Sequence, residues 1–292
     1  MAQGPRVVEA IADDARVAEL EFMAFLQRKG PTVEISANAA EAHGLHPRAF
    51  TDLLQALFGD GCLTADEAFP SVTFGPGVAP VDPRTYAWRA SERTVVKLWN
   101  GMFPLFVRLT HEGRLRMARL RDELDRHRQQ DQTGILTDGR YIERDLRIRM
   151  AVLGDGVSLS VMMADLDHFK QVNDKIGHSA GDEALRRYFS TLRDLTSAGG
   201  GDAYRKGGDE TFAILSSRSA AEALQVAEAL RAGVKTELEY LIEKGMSDPV
   251  TVSVGVLTSA LRKQPGTLIE HVDRLLYRAK ESRDRVVAET DS

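Results

Sequence analysis

Apolar residues along this chain follow two regimes. Through residue 130 they recur mostly at helical spacing. Val17–Arg28 carries Leu20, Phe22, Met23, Phe25 and Leu26 on one broad face and predicts a helix stopped by Gly30-Pro31. Ser36–His43 predicts a short helix with Ser36 as N-cap and Gly44 as stop. His46–Phe58 predicts an amphipathic helix, with Pro47 in its first turn and Phe50, Leu53, Leu54 and Leu57 on one face. Cys62–Thr64 and Ser71–Phe74 predict two strands of a small wing, and Gly75–Arg84 a Gly/Pro-rich linker. Ser91–Leu109 is apolar and aromatic, and Pro104 interrupts any helix there, so it is read as packing or as a ligand surface. Gly113–Gln130 predicts a charged connector helix with Met117, Leu120 and Leu124 at heptad-like spacing, too short to argue a coiled coil alone.

The second regime mixes continuous apolar runs with helical stripes. Val157–Ala164 predicts a buried strand, and a helix starts near Gln171–Asp174. Gly177–Asp182 leads into a helix through Leu185, Tyr188, Phe189, Leu192 and Leu195. Asp202–Lys206 and Thr211–Leu215 predict strands joined at Gly207-Gly208. Ala220–Val234 predicts a helix, Thr251–Val256 a strand, and Leu268–Arg283 a last helix that carries Lys280. This order predicts an α/β domain with a mainly antiparallel sheet covered by helices.

Composition narrows the setting. The 292 residues suffice for two domains, and 43% hydrophobic with 28% charged residues is ordinary for a globular protein. A net charge of −5 supplies no general attraction to nucleic acid or anionic lipid. The single cysteine, Cys62, excludes an internal disulfide. There is neither an apolar run of membrane-spanning length nor a basic start followed by an apolar stretch. A cytoplasmic protein without membrane contact is the expectation.

The chemistry concentrates at two places. Asp165 ends the strand Val157–Ala164 beside a helix N-terminus, a corner with a carboxylate for a cation and backbone N–H groups for phosphate oxygens. Gly207-Gly208 forms a turn that needs φ > 0, and it presents Asp209 and Glu210 at an exposed tip. Taken singly, each acid reads as a surface carboxylate. Together, on adjacent strand ends, they read as a Mg²⁺ site for a nucleoside triphosphate.

Three motifs in order then identify a resemblance. Asp165–Asn173 (DLDHFKQVN), Gly177–Asp182 (GHSAGD) and Arg205–Glu210 (RKGGDE) are similar to the GGDEF diguanylate cyclases, from about Asp131 to Val287. The resemblance implies a nucleotide-cyclase, palm-like fold and condensation of two GTP into cyclic di-GMP with release of pyrophosphate. It implies two Mg²⁺ ions per site, replaceable by Mn²⁺, held by Asp165, the Leu166 carbonyl, Asp209 and Glu210. Glu210 would also help to activate the 3′-hydroxyl. Asn173 and Asp182 would read guanine, and Lys170 and Lys280 would hold phosphates with Arg205 nearby. His168, Phe169, Gly207 and Gly208 would complete the substrate surface. Each domain would take one GTP, so a homodimer is implied.

The chain also departs from that pattern. Thr211 replaces the usual Phe, and Asp284 stands where the family has an arginine, so Arg283 or Arg285 is left to substitute. The opening motif survives as Asp131–Ile135 and Tyr141. Ala198 and Gly201 occupy the places of the product-inhibition motif RxxD, so feedback at that site is not expected. The alternative reading is a weakly active or inactive GGDEF domain that serves as a GTP-binding or interaction module. Residues 15–75 resemble the winged-helix dimerisation module of small-molecule methyltransferases. DNA is not expected there, because Pro47–Phe58 offers only Arg48 and Gln55 beside Asp52. The expected division is a regulatory or dimerisation region over 1–112, receiving an unknown signal or partner, a connector over 113–130, and a catalytic domain over 131–292.

Overall fold

A computed structural model describes residues 5–29, 33–35, 47–65, 105–153, 157–216, 219–259 and 264–291. The chain divides into two compact units, Met1–His127 and Arg128–Ser292.

In the first unit, helices α1 (Pro5–Lys29) and α2 (Pro47–Gly59) accompany strands β1 (Val33–Ile35), β2 (Leu63–Ala65) and β3 (Leu105–Leu109), followed by α3 (His111–Arg126). The apolar face expected in α1 is buried at Leu20, Phe22, Met23 and Leu26, and that of α2 at Phe50, Leu54 and Leu57. The two helices meet edge to face at Phe22 and Phe50, with ring centroids 5.2 Å apart. The sheet is antiparallel in the order β1-β3-β2. The strand paired with β2 is therefore Leu105–Leu109, the end of the stretch whose aromatic content and Pro104 masked it as a strand. The helix expected at Ser36–His43 and the strand expected at Ser71–Phe74 lie outside the described residues.

Helix α3 begins at Thr110, whose hydroxyl accepts from the Gly113 N–H and donates to the Gly61–Cys62 carbonyls. It ends at Arg126, four residues short of the expected connector. Its stripe of Met117, Leu120 and Leu124 is buried, and the helix packs on α1. Arg116 pairs with Glu19, and Arg16 with Glu123, along that contact. The heptad-like spacing is thus used inside this unit.

The second unit has β4 (Thr137–Asp138), a 3₁₀ turn (Gly139–Tyr141), α4 (Ile142–Val152), β5 (Leu159–Leu166), α5 (Phe169–Ile176), α6 (His178–Ser197), β6 (Asp202–Gly207) and β7 (Glu210–Ser216). It closes with α7 (Ala220–Glu237), a short α8 (Tyr240–Glu243), β8 (Val252–Ser259), α9 (Pro265–Lys280) and β9 (Val286–Asp291). The six strands are ordered β4-β6-β7-β5-β8-β9, parallel at the two outer pairings and antiparallel at the three inner ones.

Both faces of the sheet are covered, which is why its strands read as unbroken apolar runs. Met162, Ala164 and Leu166 join Leu185, Tyr188, Phe189 and Leu230 on one side. Val161 and Met163 join Leu146, Val272 and Leu275 on the other. Asp165 has the parity of Val161 and Met163, so the sheet turns it toward α9. Arg128 enters this unit by pairing with the fully buried Asp145 of α4, which also accepts from the Tyr204 hydroxyl of β6.

Helix α9 lies very close to β8. A Cβ at Gly255 would fall 2.4 Å from the Leu276 nitrogen and 2.8 Å from the Val272 carbonyl oxygen. Gly255→Ala therefore has to push α9 off the sheet. The expected loss is about 1–3 kcal/mol of stability in urea unfolding. An unchanged midpoint would contradict this packing.

Candidate active site

Three chain segments build the site. The first is the end of β5. Its final pairing with β7 is Ala164 against Thr211, while its pairing with β8 continues through Asp165 and Leu166. Asp165 is thus carried on a strand held from one side only. Asp167 follows, 1% exposed. Its carboxylate accepts from Thr251 Oγ1 (2.7 Å), Ser253 Oγ (2.8 Å), Lys280 Nζ (3.1 Å) and the Asp284 N–H (3.0 Å). Burial alone would raise its pKa. These hydrogen bonds and the Lys280 charge outweigh burial and hold it below the ordinary carboxylate range.

The second segment is the β6–β7 turn. Gly207 pairs with Glu210, so the two-residue loop is Gly208-Asp209. Only Gly208 is left-handed, at φ 57°, while Gly207 stays in the strand. The register slips between Arg205 and Gly207, and Lys206 at that irregularity reaches Glu210 Oε1 at 2.8 Å. The tip is less exposed than the sequence implied, since Asp209 and Glu210 are both half-buried. Burial first, and then the charge of Asp165, raises the Asp209 pKa from 3.8 to about 6, with Glu210 adding to it. The two acids expected to share a site therefore feel each other.

The third segment is the α5–α6 corner. His168 precedes α5 in a left-handed conformation, φ 61°, with Phe169 half-buried and Lys170 exposed in the first turn. Asn173 lies across the start of α6: a Cβ on Gly181 would fall 2.0 Å from its Oδ1. Glycine there leaves room for the amide, and Asp182, the next residue, is exposed.

Lys280 comes from the C-terminal end of α9. Its ammonium donates to the Asp165 and Leu166 carbonyls at 3.0 and 2.9 Å and also contacts the Asp165 carboxylate. It lies within the oxygen cluster itself. Arg205 is likewise engaged. It donates to Asp131 Oδ2 (3.1 Å) and the Gly208 carbonyl (2.8 Å), and its guanidinium lies 5.1 Å from the Phe189 ring centroid. It anchors the turn. Asp131 in return accepts from Thr133, Ile135 and Leu136 N–H groups and organises the loop before β4.

Asp284 is turned toward α7, paired with Arg231 (2.7 Å) and Lys235 (3.0 Å). Arg283 is exposed, and Arg285 donates to Ser282. Thr211 is buried, bonded to the Tyr188 hydroxyl. Sequence reasoning passed over Asp167, although its spacing of two from Asp165 puts both on one side of an extended chain. It also passed over Tyr188, which reads as a plain core residue.

The donors near Asp165 and Asp209 are carboxylate and carbonyl oxygens, the chemistry of a hard divalent cation. An ammonium among them and a raised carboxyl pKa both indicate an excess of negative charge that a cation relieves. Among the described residues no group of three or more His, Cys, Asp or Glu is placed to hold a metal ion by itself. Such an ion would share its ligands with substrate or solvent, as Mg²⁺ commonly does.

The acids thus stand on neighbouring strand ends, beside a glycine turn, in a mixed α/β domain whose sheet is flanked by helices. Residues 128–285, more than half of the chain, match the sequence model of the family described as "Diguanylate cyclase, GGDEF domain", and the chain belongs to that family. Diguanylate cyclase A of Treponema denticola is 34% identical over 131 residues, covering 44% of this chain and 34% of that protein. Response regulator PleD of Caulobacter vibrioides is 33% identical over 156 residues, covering 52% of this chain and 34% of its own length. The chain thus spans about a third of the length of these relatives. Diguanylate cyclase SiaD of Pseudomonas aeruginosa, solved with its activator SiaC, aligns with a TM-score of 0.51 at 26% identity, over 61% of this chain and 68% of that one. The coiled coil and GGDEF domain of DgcB from Caulobacter crescentus, solved with c-di-GMP, shares the fold at a TM-score of 0.50 and 24% identity, over 61% of this chain and 96% of that one.

The raised Asp209 pKa has a signed consequence. Without a divalent cation, the folded protein binds this proton more tightly than the unfolded chain does. Asp209 therefore makes stability fall as pH rises from about 4 to about 6. Asp209→Asn removes that contribution. Thermal melts in chelator are expected to show the variant melting above wild type at pH 7, with the gap closing toward pH 4. A variant that melts below wild type at pH 7 would show the two acids are not in conflict.

Proposed function

We propose that this chain is a diguanylate cyclase that joins two GTP molecules into cyclic di-GMP. The observation that carries the reading is the convergence of Asp165, Asp209 and Glu210 at neighbouring strand ends. Asn173, packed against Gly181 one residue before Asp182 at the α5–α6 corner, supports it. Two domains face each other in a homodimer, each with one GTP. The 3′-oxygen of each GTP attacks the α-phosphorus of the other. A phosphodiester P–O bond forms, the bond to the β-phosphate bridging oxygen breaks, and pyrophosphate leaves.

Asp165, the Leu166 carbonyl, Asp209 and Glu210 would hold Mg²⁺ or Mn²⁺. When bound, that ion neutralises phosphate charge. Glu210, already a partner of Lys206, takes the 3′-hydroxyl proton. Asn173 and the Asp182 carboxylate fix the guanine edge, the carboxylate accepting from the base N–H groups. Lys170 and Lys280 would hold phosphate oxygens, Lys280 from its place beside the Asp165 and Leu166 oxygens. His168, Phe169, Gly207 and Gly208 line the pocket, and Arg205 keeps the turn in shape through Asp131. Catalysis is mainly positioning and charge neutralisation. With Ala198 and Gly201 in place of an RxxD pair, product does not feed back through that site.

The first unit is a winged-helix-like dimerisation or sensing region. Its order of helix, strand, helix, strand, strand and the β1-β3-β2 sheet support this. Among the described residues no helix is long and apolar enough to cross a membrane.

Purified protein incubated with GTP and Mg²⁺ is expected to yield cyclic di-GMP and pyrophosphate on anion-exchange chromatography. Asp209→Asn and Glu210→Gln are each expected to lower the rate by about 10²-fold or more while remaining folded by circular dichroism. GTP binding with no product from a dimeric sample would overturn the cyclase reading and leave a nucleotide-binding module.

A further inference from the structure

We propose that the hydroxyls of Tyr188 and Thr211 act as a positioning pair that holds the Asp165 strand end against the Asp209–Glu210 turn, an inference that rests on the reading of that site given above. Thr211 follows Glu210 directly on β7 and faces Ala164, the residue before Asp165. It is 1% exposed, and Tyr188 is fully buried. The Tyr188 and Thr211 oxygens are 2.6 Å apart, and Thr211 Oγ1 lies 3.2 Å from the Ala164 carbonyl oxygen.

The direction of these bonds follows from hydrogen counting. A carbonyl only accepts, so Thr211 spends its one hydrogen on Ala164 and accepts from Tyr188. The tyrosine remains a donor, because burial first, and then the charges of Asp165, Asp209 and Glu210, push its ionisation far above the ordinary phenol range. The hydroxyl thus lies in the field of the three acids.

The place of this chain of bonds gives it its effect. Ala164 with Thr211 is the last rung of the β5–β7 ladder. Beyond it no backbone bond joins the two acid-bearing ends, and Asp165 and Asp209 oppose each other. The Thr211 side chain adds a bond at that final rung. Tyr188 extends it to α6, less than two turns after Asp182. Three segments of the site are thereby referenced to one buried point. The family's usual Phe at the Thr211 position has no hydroxyl, so this pair belongs to the present chain's own sequence.

The test uses the full chain with Thr211→Val, Thr211→Ser, Tyr188→Phe and the Thr211→Val/Tyr188→Phe double variant. Mn²⁺ affinity is read by electron paramagnetic resonance with a GTP analogue carrying a methylene between the α- and β-phosphorus atoms. Turnover of GTP is read alongside it. Thr211→Val and Tyr188→Phe are each expected to weaken Mn²⁺ binding by about 10-fold, as loss of groups that orient metal ligands does. They should lower kcat more than they raise KM. The double variant should be no worse than either single one, and Thr211→Ser should stay near wild type. Tyr188→Phe removes one atom and keeps the test open should Thr211→Val not fold. Variants that melt lower but bind Mn²⁺ and turn over like wild type would reduce the pair to a core contact. Additive losses would also overturn it. Wild type that neither binds Mn²⁺ with the analogue nor forms product would instead overturn the cyclase reading, and this inference with it.

Discussion

Two carboxylates that repel each other, Asp165 and Asp209, are held together by a sheet that does not yield. This opposition shapes the second unit. The β5–β7 ladder fixes one acid near the other, and burial first, then the Asp165 charge, raises the pKa of Asp209. Lys280 offsets part of it by placing its ammonium among the Asp165 and Leu166 oxygens. Lys280 is itself aimed by Asp167, whose buried carboxylate is surrounded by Thr251, Ser253 and the Asp284 N–H. A site strained in this way favours a cation, which relieves the excess of negative charge.

The departures from the family pattern follow the same logic. Asp284, which stands where an arginine is usual, spends its carboxylate on Arg231 and Lys235 and its N–H on Asp167. Two consecutive residues there, Arg283 and Asp284, have positive φ, and these bonds keep that strained corner in place. Arg205 is bonded to Asp131 and the Gly208 carbonyl, so its charge serves the turn. Thr211 trades an aromatic for a hydroxyl, and Tyr188 supplies its partner.

Much of the fold was legible locally. Runs such as Val157–Ala164 and Thr251–Val256 announced strands, and Gly207-Gly208 announced the turn between β6 and β7. In the first unit the pattern found α1 and α2 but not β3, since five residues after Pro104 carry too little periodicity to separate strand from helix. The stripe on α3 was legible as apolar, but that α1 covers it was not, because the partner of an amphipathic face is not written in its spacing.

The sequence by itself determined the types of residue at the site and their order, because motif spacing encodes strand ends, a turn and a helix start. It did not determine what each side chain would be spent on. Asp209 and Glu210 read as an exposed tip, yet the neighbouring segments half-bury them. Lys280 read as a phosphate holder with Arg205 nearby; in the fold Arg205 pairs with Asp131, and Lys280 with the Asp165–Asp167 oxygens. Those allocations depend on distances between segments 47 to 115 residues apart in the chain, which only the paired strands and packed helices set.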